Sequence, residues 1–313
     1  MNRRTFSRYL LGSTAIGLAT TGYAKAPKDS LHSIDSHRRF RIGVIADTHI
    51  IDPYYKGPED SAEDTESMGH TAERLIAARE HVNHLVSPVD HVFHLGDVVH
   101  DSPTMGLSFY QQNRTRLDIA ADLFAGFHAP VHLALGNHDY GLPHLSREET
   151  HWLFAQKLKT RPYSSLDYRG WKFIVLNNFL GASWDVRGTA YDQGVGTLGC
   201  EQLEWLEAEL SQRLPTIVLV HYPLWLIQDK EFASFGLHPL LRKYADSVQL
   251  VLSGHWHKWV DFARTYGPQH YVVASTRYDP HAMMVLELDS GSALWRFANA
   301  SCIDWSTHFA RAF

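Results

Sequence analysis

Cysteine is almost missing from this chain: Cys200 and Cys302 are the only two in 313 residues. So sparse a pair excludes a disulfide-stapled scaffold, a zinc-finger motif and a C-x-x-C redox centre. An oxidising compartment would permit one bridge between them, a matter of geometry that spacing does not decide. Beyond the N-terminus no segment offers the ~18 consecutive apolar residues of a membrane span. Repeats, low-complexity tracts and linkers are also missing from residues 40–313, so these are expected to form a single domain. Positive charge is in deficit too, with 29 Lys and Arg against 34 Asp and Glu.

The N-terminus reads MNRRTFSRYLLGSTAIGLATTGYAKAP. Arg3, Arg4 and Arg8 form a basic region, Leu10 to Thr21 a weakly apolar stretch too short to span a bilayer, and Ala24-Lys25-Ala26 a small-x-small cleavage pattern. The paired arginines before Thr5-Phe6 resemble a twin-arginine signal, which carries folded proteins across the bacterial inner membrane. Residues 1–26 are therefore expected to be a twin-arginine signal peptide and 27–39 an N-terminal extension, with the translocation machinery as a partner and a periplasmic or secreted destination. An uncleaved anchor or a basic tail is the other reading of the same residues. Without the first 26 residues, 25 basic side chains face 34 acidic ones, a net charge of −9. Such a surface disfavours nucleic acid, whose affinity rests on neutralising phosphates with Lys and Arg.

What the chain has in excess is histidine, 21 residues, the commonest metal ligand. Their places become informative once the chain is divided into elements. Short apolar runs at 41–46, 91–95, 131–135, 172–176, 216–220 and 248–252 have the length and β-branched content of buried strands. Between them, 71–86, 116–127 and 200–214 carry apolar residues at three- and four-residue steps, as helices covering a sheet do. This is an α/β pattern. The runs at 270–275 and 281–289 lack an intervening helix and are expected to form an antiparallel addition.

Polar residues follow five of these runs. Asp47 and His49 follow the first, Gly96-Asp97 the second and Gly136-Asn137-His138-Asp139 the third; His221 and Gly254-His255-Trp256-His257 follow two later ones. Sites in open α/β sheets form at the carboxyl ends of strands. Three oxygen donors (Asp47, Asp97, Asn137) and four imidazoles (His49, His221, His255, His257) exceed the needs of one tetrahedral ion. They suit two ions sharing a carboxylate, the arrangement that clamps attacking and leaving oxygens in phosphoryl transfer. Asp47 and His49, two apart, face one side if the chain stays extended there. Glycines before the polar residues allow tight turns and close approach.

In its order and residue types this set resembles the calcineurin-like metallophosphoesterase superfamily, with motifs running from 47 to 257. The resemblance implies an α/β fold, a four-layer αββα sandwich of two mixed sheets flanked by helices. It implies that Asp47, His49 and His257 hold one metal, that Asn137, His221 and His255 hold the other, and that Asp97 bridges them. His138 would face the substrate as phosphate stabiliser and general acid, with Asp139 hydrogen-bonded to its imidazole. The implied function is an exported enzyme with two divalent or transition metal ions (Mn, Fe or Zn) that hydrolyses a small phosphodiester or phosphomonoester by hydroxide attack on phosphorus. A non-catalytic protein retaining metal or a phosphate ligand on the same fold is the alternative, and the intact donor set weighs against it.

Departures narrow the branch. Position 100, where purple acid phosphatases carry a tyrosine, is His100, and GDVVHDS lacks the arginine of the protein phosphatases. A histidine there occurs in the nuclease branch, but the acidic chain speaks against DNA. The cyclic-nucleotide and glycerophosphodiester phosphodiesterase branch is most similar, which favours a phosphodiesterase.

Other residues have weaker claims. His100 and Asp101 lie beside the site as candidate partners of its ligands, Trp256 either walls a pocket or packs, and 140–144 could line that pocket. Arg187 could meet an anion, the acidic stretch 57–67 could cap the site, and Tyr278 or His281 could reach it. His94 and His132, inside strand runs, are expected to be hydrogen-bonded core residues.

Replacing Arg3 and Arg4 by lysine should block export, with precursor accumulating in the cytoplasm. Cell fractionation checks this, and undiminished periplasmic protein would remove the signal assignment.

Overall fold

The computed structural model describes residues 38–57, 61–101, 104–228 and 236–305, so the signal expected at 1–26 and all but the last two residues of the extension expected at 27–39 lie outside it. The chain opens with β1 (Arg39–Ile45), followed by helices α1 (Ala62–Gly69) and α2 (Thr71–Asn83). Strand β2 (His91–His94), helices α3 (Leu107–Gln112) and α4 (Arg116–Phe124), and β3 (Val131–Leu133) come next. Helix α5 (Arg147–Leu158) leads into the hairpin of β4 (Ser164–Tyr168) and β5 (Trp171–Val175). Helix α6 (Cys200–Ser211), β6 (Thr216–Val220), α7 (Leu237–Lys243) and β7 (Val248–Ser253) follow, and then β8 (Val260–Asp261), β9 (Gln269–Val272), β10 (Met284–Asp289) and β11 (Trp295–Phe297).

Two mixed sheets result, with strand orders β11-β10-β1-β2-β3 and β4-β5-β6-β7-β9-β8. Strands β1, β2 and β3 run parallel in the first sheet, and β5, β6, β7 and β9 run parallel in the second. The two-residue alternation of a strand then decides which face meets which layer. Ile42, Val44, Phe93, Phe173, Ile217, Leu219, Leu250, Leu252, Met284 and Leu286 point inward and form a core between the sheets. Their neighbours Ile45, Val92, Ile174, Val218, Val220, Val251 and Val285 point outward, into the layers that hold Leu75 and Val82 of α2, Leu117 and Phe124 of α4, and Leu203, Leu206 and Leu210 of α6. Both faces of each sheet are thus covered, which gives the expected αββα sandwich.

The expectation for the C-terminal strands needs one correction. β10 does pair antiparallel with β1, but β9 runs parallel to β7. The two-residue β8, antiparallel to β9, supplies the return that lets β9 enter in the same sense as β7 without a helix. Strand β9 therefore also ends on the edge where β1, β2, β3, β6 and β7 end. Cys200 and Cys302 are both exposed and not joined by a disulfide. Among the described residues no helix is long and apolar enough to cross a membrane.

Leu250, fully buried between the sheets, tests the inner core. Leu250→Ala should cost about 2–5 kcal/mol of stability, read by urea unfolding; a loss below about 1 kcal/mol would mean that the sheets are not closely packed there.

Candidate active site

Two loops leaving adjacent parallel strands set the floor of the site. After β1 and β2 the chains stay zipped: the backbone N–H groups of Asp47, His49 and Ile50 donate to the carbonyls of Gly96, Asp97 and Val98 at 3.1, 2.9 and 3.0 Å. Thr48 fastens the same pair through its side chain, donating to the Val98 carbonyl at 2.9 Å and accepting from His94 Nε2 at 3.0 Å. His94 Nδ1 in turn accepts from the Gly96 N–H at 3.1 Å. Burial holds this imidazole neutral, its pKa lowered to about 3, and both ring nitrogens are used. His94 is the hydrogen-bonded core histidine that its place in a strand suggested.

The chain is not extended at the first motif. Asp47, His49, Asp97, His255 and His257 all have positive φ, between 47° and 69°, a left-handed conformation that costs a side-chain-bearing residue about 1–3 kcal/mol and clusters at functional sites. Asp47 and His49 converge because each turns left-handed, not because a strand carries both to one face. Two glycines make room for this. Gly96 has φ 95°, and a Cβ at Gly136 would lie 2.2 Å from both Asp97 N and Asp97 Oδ1.

Besides a cluster of His49, His100 and His138, the structure gathers the expected metal ligands into two groups of donors, Asp47, His49, Asp97 and His257 in one and Asp97, His221 and His255 in the other. Asp97 belongs to both. Its Oδ2 lies 3.5 Å from His49 Nε2 and 3.3 Å from His221 Nε2, while His49 Nε2 and His257 Nε2 are 3.2 Å apart. Asn137 Oδ1 lies 3.0 Å from His221 Nε2, beside the second group. Asp47 is held from the opposite sheet by the His255 N–H, which points at both carboxylate oxygens at 3.0 and 3.1 Å.

Electrostatics suits cations here. Burial pushes the Asp47 carboxyl up to about 8 despite His221 nearby. Burial also keeps His49, His255 and His257 well below the usual imidazole range, so their lone pairs are free to coordinate. Burial would lower His221 as well, but Asp97 and Asp47 outweigh it and lift the ring to about 9. His221 Nδ1 donates to the Leu95 carbonyl at 2.9 Å, which leaves Nε2 to face Asp97, as the ring of a metal-binding histidine must. Asp97 Oδ2 is buried and has no hydrogen-bond partner among the described residues. An orphaned carboxylate oxygen between two imidazoles fits a shared metal ligand, and the remaining donors fit two ions.

One expected contact is absent. His138 does not bond to Asp139; its Nδ1 lies 2.8 Å from Asp101 Oδ1. Asp139 instead accepts from the backbone N–H groups of Gly136 and Val99 at 2.7 and 2.9 Å. Residues 137–139 form a single 3-10 turn, in which the third side chain folds back to cap the first amide. Asp139 therefore staples the turn, and the imidazole finds its carboxylate on the loop after β2. Burial lowers His138 but Asp97 and Asp101 together raise it above the ordinary imidazole value. Its backbone N–H also donates to Asp97 Oδ1 at 2.8 Å.

Among the weaker candidates, His100 belongs to the site. Its Nδ1 lies 3.2 Å from His49 Nδ1 and its ring stacks on His138 at 4.7 Å between centroids. Tyr278 reaches the edge, 5.4 Å from the His257 ring, with its hydroxyl on Asp64 of α1. That contact brings the acidic stretch, as helix α1, to the rim. Trp256 packs against Trp225 and Phe262, and Tyr140 is buried with its hydroxyl 2.8 Å from Asn177 Nδ2 and 2.9 Å from His151 Nε2. Arg187 is exposed, and the His281 ring meets His81 edge-to-face. His132 pairs with His91 in the first sheet.

In the segment after β9 the sequence pointed to Tyr278 and His281 and not to Ser275 or Arg277, yet the Ser275 hydroxyl and the Arg277 N–H both bind the Asp47 carbonyl, at 2.8 and 3.1 Å. Their relevance depends on β9 ending beside β7, which a sequence pattern does not show.

Residues 40–259 match the calcineurin-like phosphoesterase family. The chain is 29% identical over 187 residues to a manganese-dependent ADP-ribose/CDP-alcohol diphosphatase from Bos taurus, a stretch covering 56% of this chain and 51% of that protein. The chain thus spans about half the length of the curated relative it matches. Its fold is similar to that of a dimetal phosphatase from Danio rerio, with a TM-score of 0.57 and 16% identity over 80% of this chain and 93% of the other.

The orphaned oxygen yields a prediction separate from turnover. Mn²⁺ at about a hundred times its Kd should add about 3 kcal/mol to the unfolding free energy. Asp97→Asn keeps the acceptor for the His138 N–H but removes the charge, and should lose most of that gain. Urea unfolding with and without chelator reads the difference; an undiminished gain in Asp97→Asn would remove Asp97 from the ligand set.

Proposed function

Because the chain belongs to the calcineurin-like phosphoesterase family, we propose that it is a dinuclear-metal hydrolase of a small phosphate ester, with Asp97 as the carboxylate common to both ions. The observation that carries this reading is Asp97 Oδ2, buried, without a hydrogen-bond partner among the described residues and shared by two donor groups. Asp47, His49 and His257 would hold one ion, and Asn137, His221 and His255 the other. Mn, Fe and Zn all suit such mixed oxygen and imidazole donors; the name of the bovine relative favours manganese. When bound, the ions would supply the acidity that makes a water nucleophilic near neutral pH and the charge that offsets the phosphoryl oxygens.

The chain's own groups do the rest. His138 holds a proton on Nδ1 against Asp101, which leaves Nε2 to donate to a phosphoryl or leaving oxygen. Asp97 and Asp101 together raise the affinity of that ring for its proton. This suits a general acid for an alkoxide leaving group. The His138 backbone, tied to Asp97 Oδ1, fixes the distance between acid and metal ligand. Asp139 keeps the turn that presents Asn137 and His138 in different directions.

A diester is favoured over a monoester. The substrates in the bovine relative's name carry phosphorus with two substituted oxygens, and the first motif is similar to that of the phosphodiesterase branch. The arginine pair at the N-terminus supports a further proposal, that the enzyme acts in the periplasm or outside the cell after twin-arginine export.

The test compares bis(4-nitrophenyl) phosphate with 4-nitrophenyl phosphate on metal-analysed protein, with and without chelator. Chelator should abolish turnover and metal should restore it, with the diester the better substrate. On a diester with an alkyl leaving group, His138→Ala should lower kcat by about 10²–10⁴-fold while metal content stays the same. Turnover that survives complete metal removal would end the reading, and wild-type kcat in His138→Ala would end the role of that residue.

A further inference from the structure

Arg116 is the first residue of α4, yet its side chain is only 2% exposed. Asp52, also buried, holds it from two sides. Asp52 Oδ2 accepts from Arg116 Nε at 2.9 Å and from the Arg116 backbone N–H at 3.0 Å, while Asp52 Oδ1 accepts from Nη2 at 3.1 Å and from the Tyr54 N–H at 3.0 Å. With Nε and Nη2 engaged, Nη1 is left to point in one direction. Both its protons go to successive carbonyls, that of His100 and, at 2.8 Å, that of Asp101.

Those two residues lie in no helix or strand; the zipper between the loops after β1 and β2 reaches only as far as the His100 N–H, which donates to the Ile50 carbonyl at 3.0 Å. They nevertheless carry the two side chains on which the site's imidazoles rest: His100 against His49 and stacked on His138, and Asp101 on His138 Nδ1. A buried ion pair contributes little to stability compared with apolar residues of the same shape. One that aims both remaining protons at an irregular segment has a different use. A planar, preorganised guanidinium holds the carboxylate through Nε and Nη2 and two adjacent carbonyls through Nη1 at the same time, which the single nitrogen of an ammonium cannot do in the same geometry.

We propose that Arg116, oriented by Asp52, is a positioning residue that sets the His100–Asp101 backbone and through it the direction of the His138 imidazole. The inference rests on the reading of His138 as the acid of a phosphoester hydrolase, and its test separates the two. Arg116→Lys keeps a cation but cannot hold Asp52 and both carbonyls at once.

Two readouts are taken on the full chain. In metal-free protein labelled with ¹⁵N-histidine, the hydrogen-bonded Nδ1 proton of His138, identified by its loss in His138→Ala, should shift or broaden in Arg116→Lys. In Mn²⁺-loaded protein, kcat is measured on two phosphodiesters that differ only in leaving group, a nitrophenolate and an alkoxide. Arg116→Lys should lower kcat about 10²-fold on the alkoxide ester and less than about threefold on the nitrophenyl ester, whose leaving group departs without a proton. KM should hardly change. A loss of folded protein would lower both substrates equally, so the split is not produced by instability.

An unmoved His138 signal overturns the proposal, and so does a moved signal without the split in Arg116→Lys when His138→Ala shows it. A moved signal with no split in either variant keeps the positioning role and overturns the acid role of His138. Should Arg116→Lys not fold, Asp52→Asn, which retains the guanidinium but loosens its aim, supplies the same two readouts, and each outcome carries the same meaning.

Discussion

A carboxylate at the centre of the molecule organises the site. Asp97 is fully buried; its Oδ1 accepts from the His138 N–H, and its Oδ2 faces two imidazoles with no hydrogen bond of its own among the described residues. Taking an ionised carboxylate out of water is costly unless it is paired, so the surroundings must return that energy. They do so in part through His221, which in the protein alone takes up a proton in response to Asp97 and Asp47. A proton is a poor substitute for a divalent ion, since it serves one oxygen while the ion would serve several donors at once. The same carboxylate dictates the empty space around it: the backbone at Gly136 passes so close that no Cβ fits.

Backbone strain is concentrated where the donors are. Five donor residues with side chains adopt the left-handed region, which together would be expensive in an isolated loop. The parallel zipper between the loops after β1 and β2, the Thr48–His94 link and the grip of the His255 N–H on Asp47 hold them there. Preorganisation of this kind removes the entropy of ordering ligands at the moment of binding.

Much of this was legible in the chain. Asp47, His49, Asp97, Asn137, His221, His255 and His257 each follow an apolar run of strand length, and a strand's end is a definite place in a layered sheet, so sequence position translated into spatial convergence. Helix periodicity located α2, α4 and α6 for the same reason. What remained hidden depends on contacts between segments. Asp139 stands next to His138 but is turned away by a 3-10 turn one residue long per side chain, whereas Asp101, 37 residues earlier, reaches the ring. Neighbours in sequence compete for directions, and only the fold decides which carboxylate wins. Arg116 and Asp52 were invisible because a lone arginine at the start of an amphipathic helix has the same pattern whether it points to water or is buried. Ser275 and Arg277 waited on the parallel entry of β9, which two residues of β8 make possible.

The donors come from both sheets, and His49 and His257 are 208 positions apart. Neither group of donors is complete within one sheet: the first joins Asp47, His49 and Asp97 to His257, and the second joins Asp97 to His221 and His255. Contacts of such long range form late, since loop closure must precede them. A chain in which only one sheet has formed offers an ion a partial set and correspondingly weak affinity. Metal retention would therefore act as an inspection of assembly, distinguishing chains whose sheets have docked in register from those that have only collapsed.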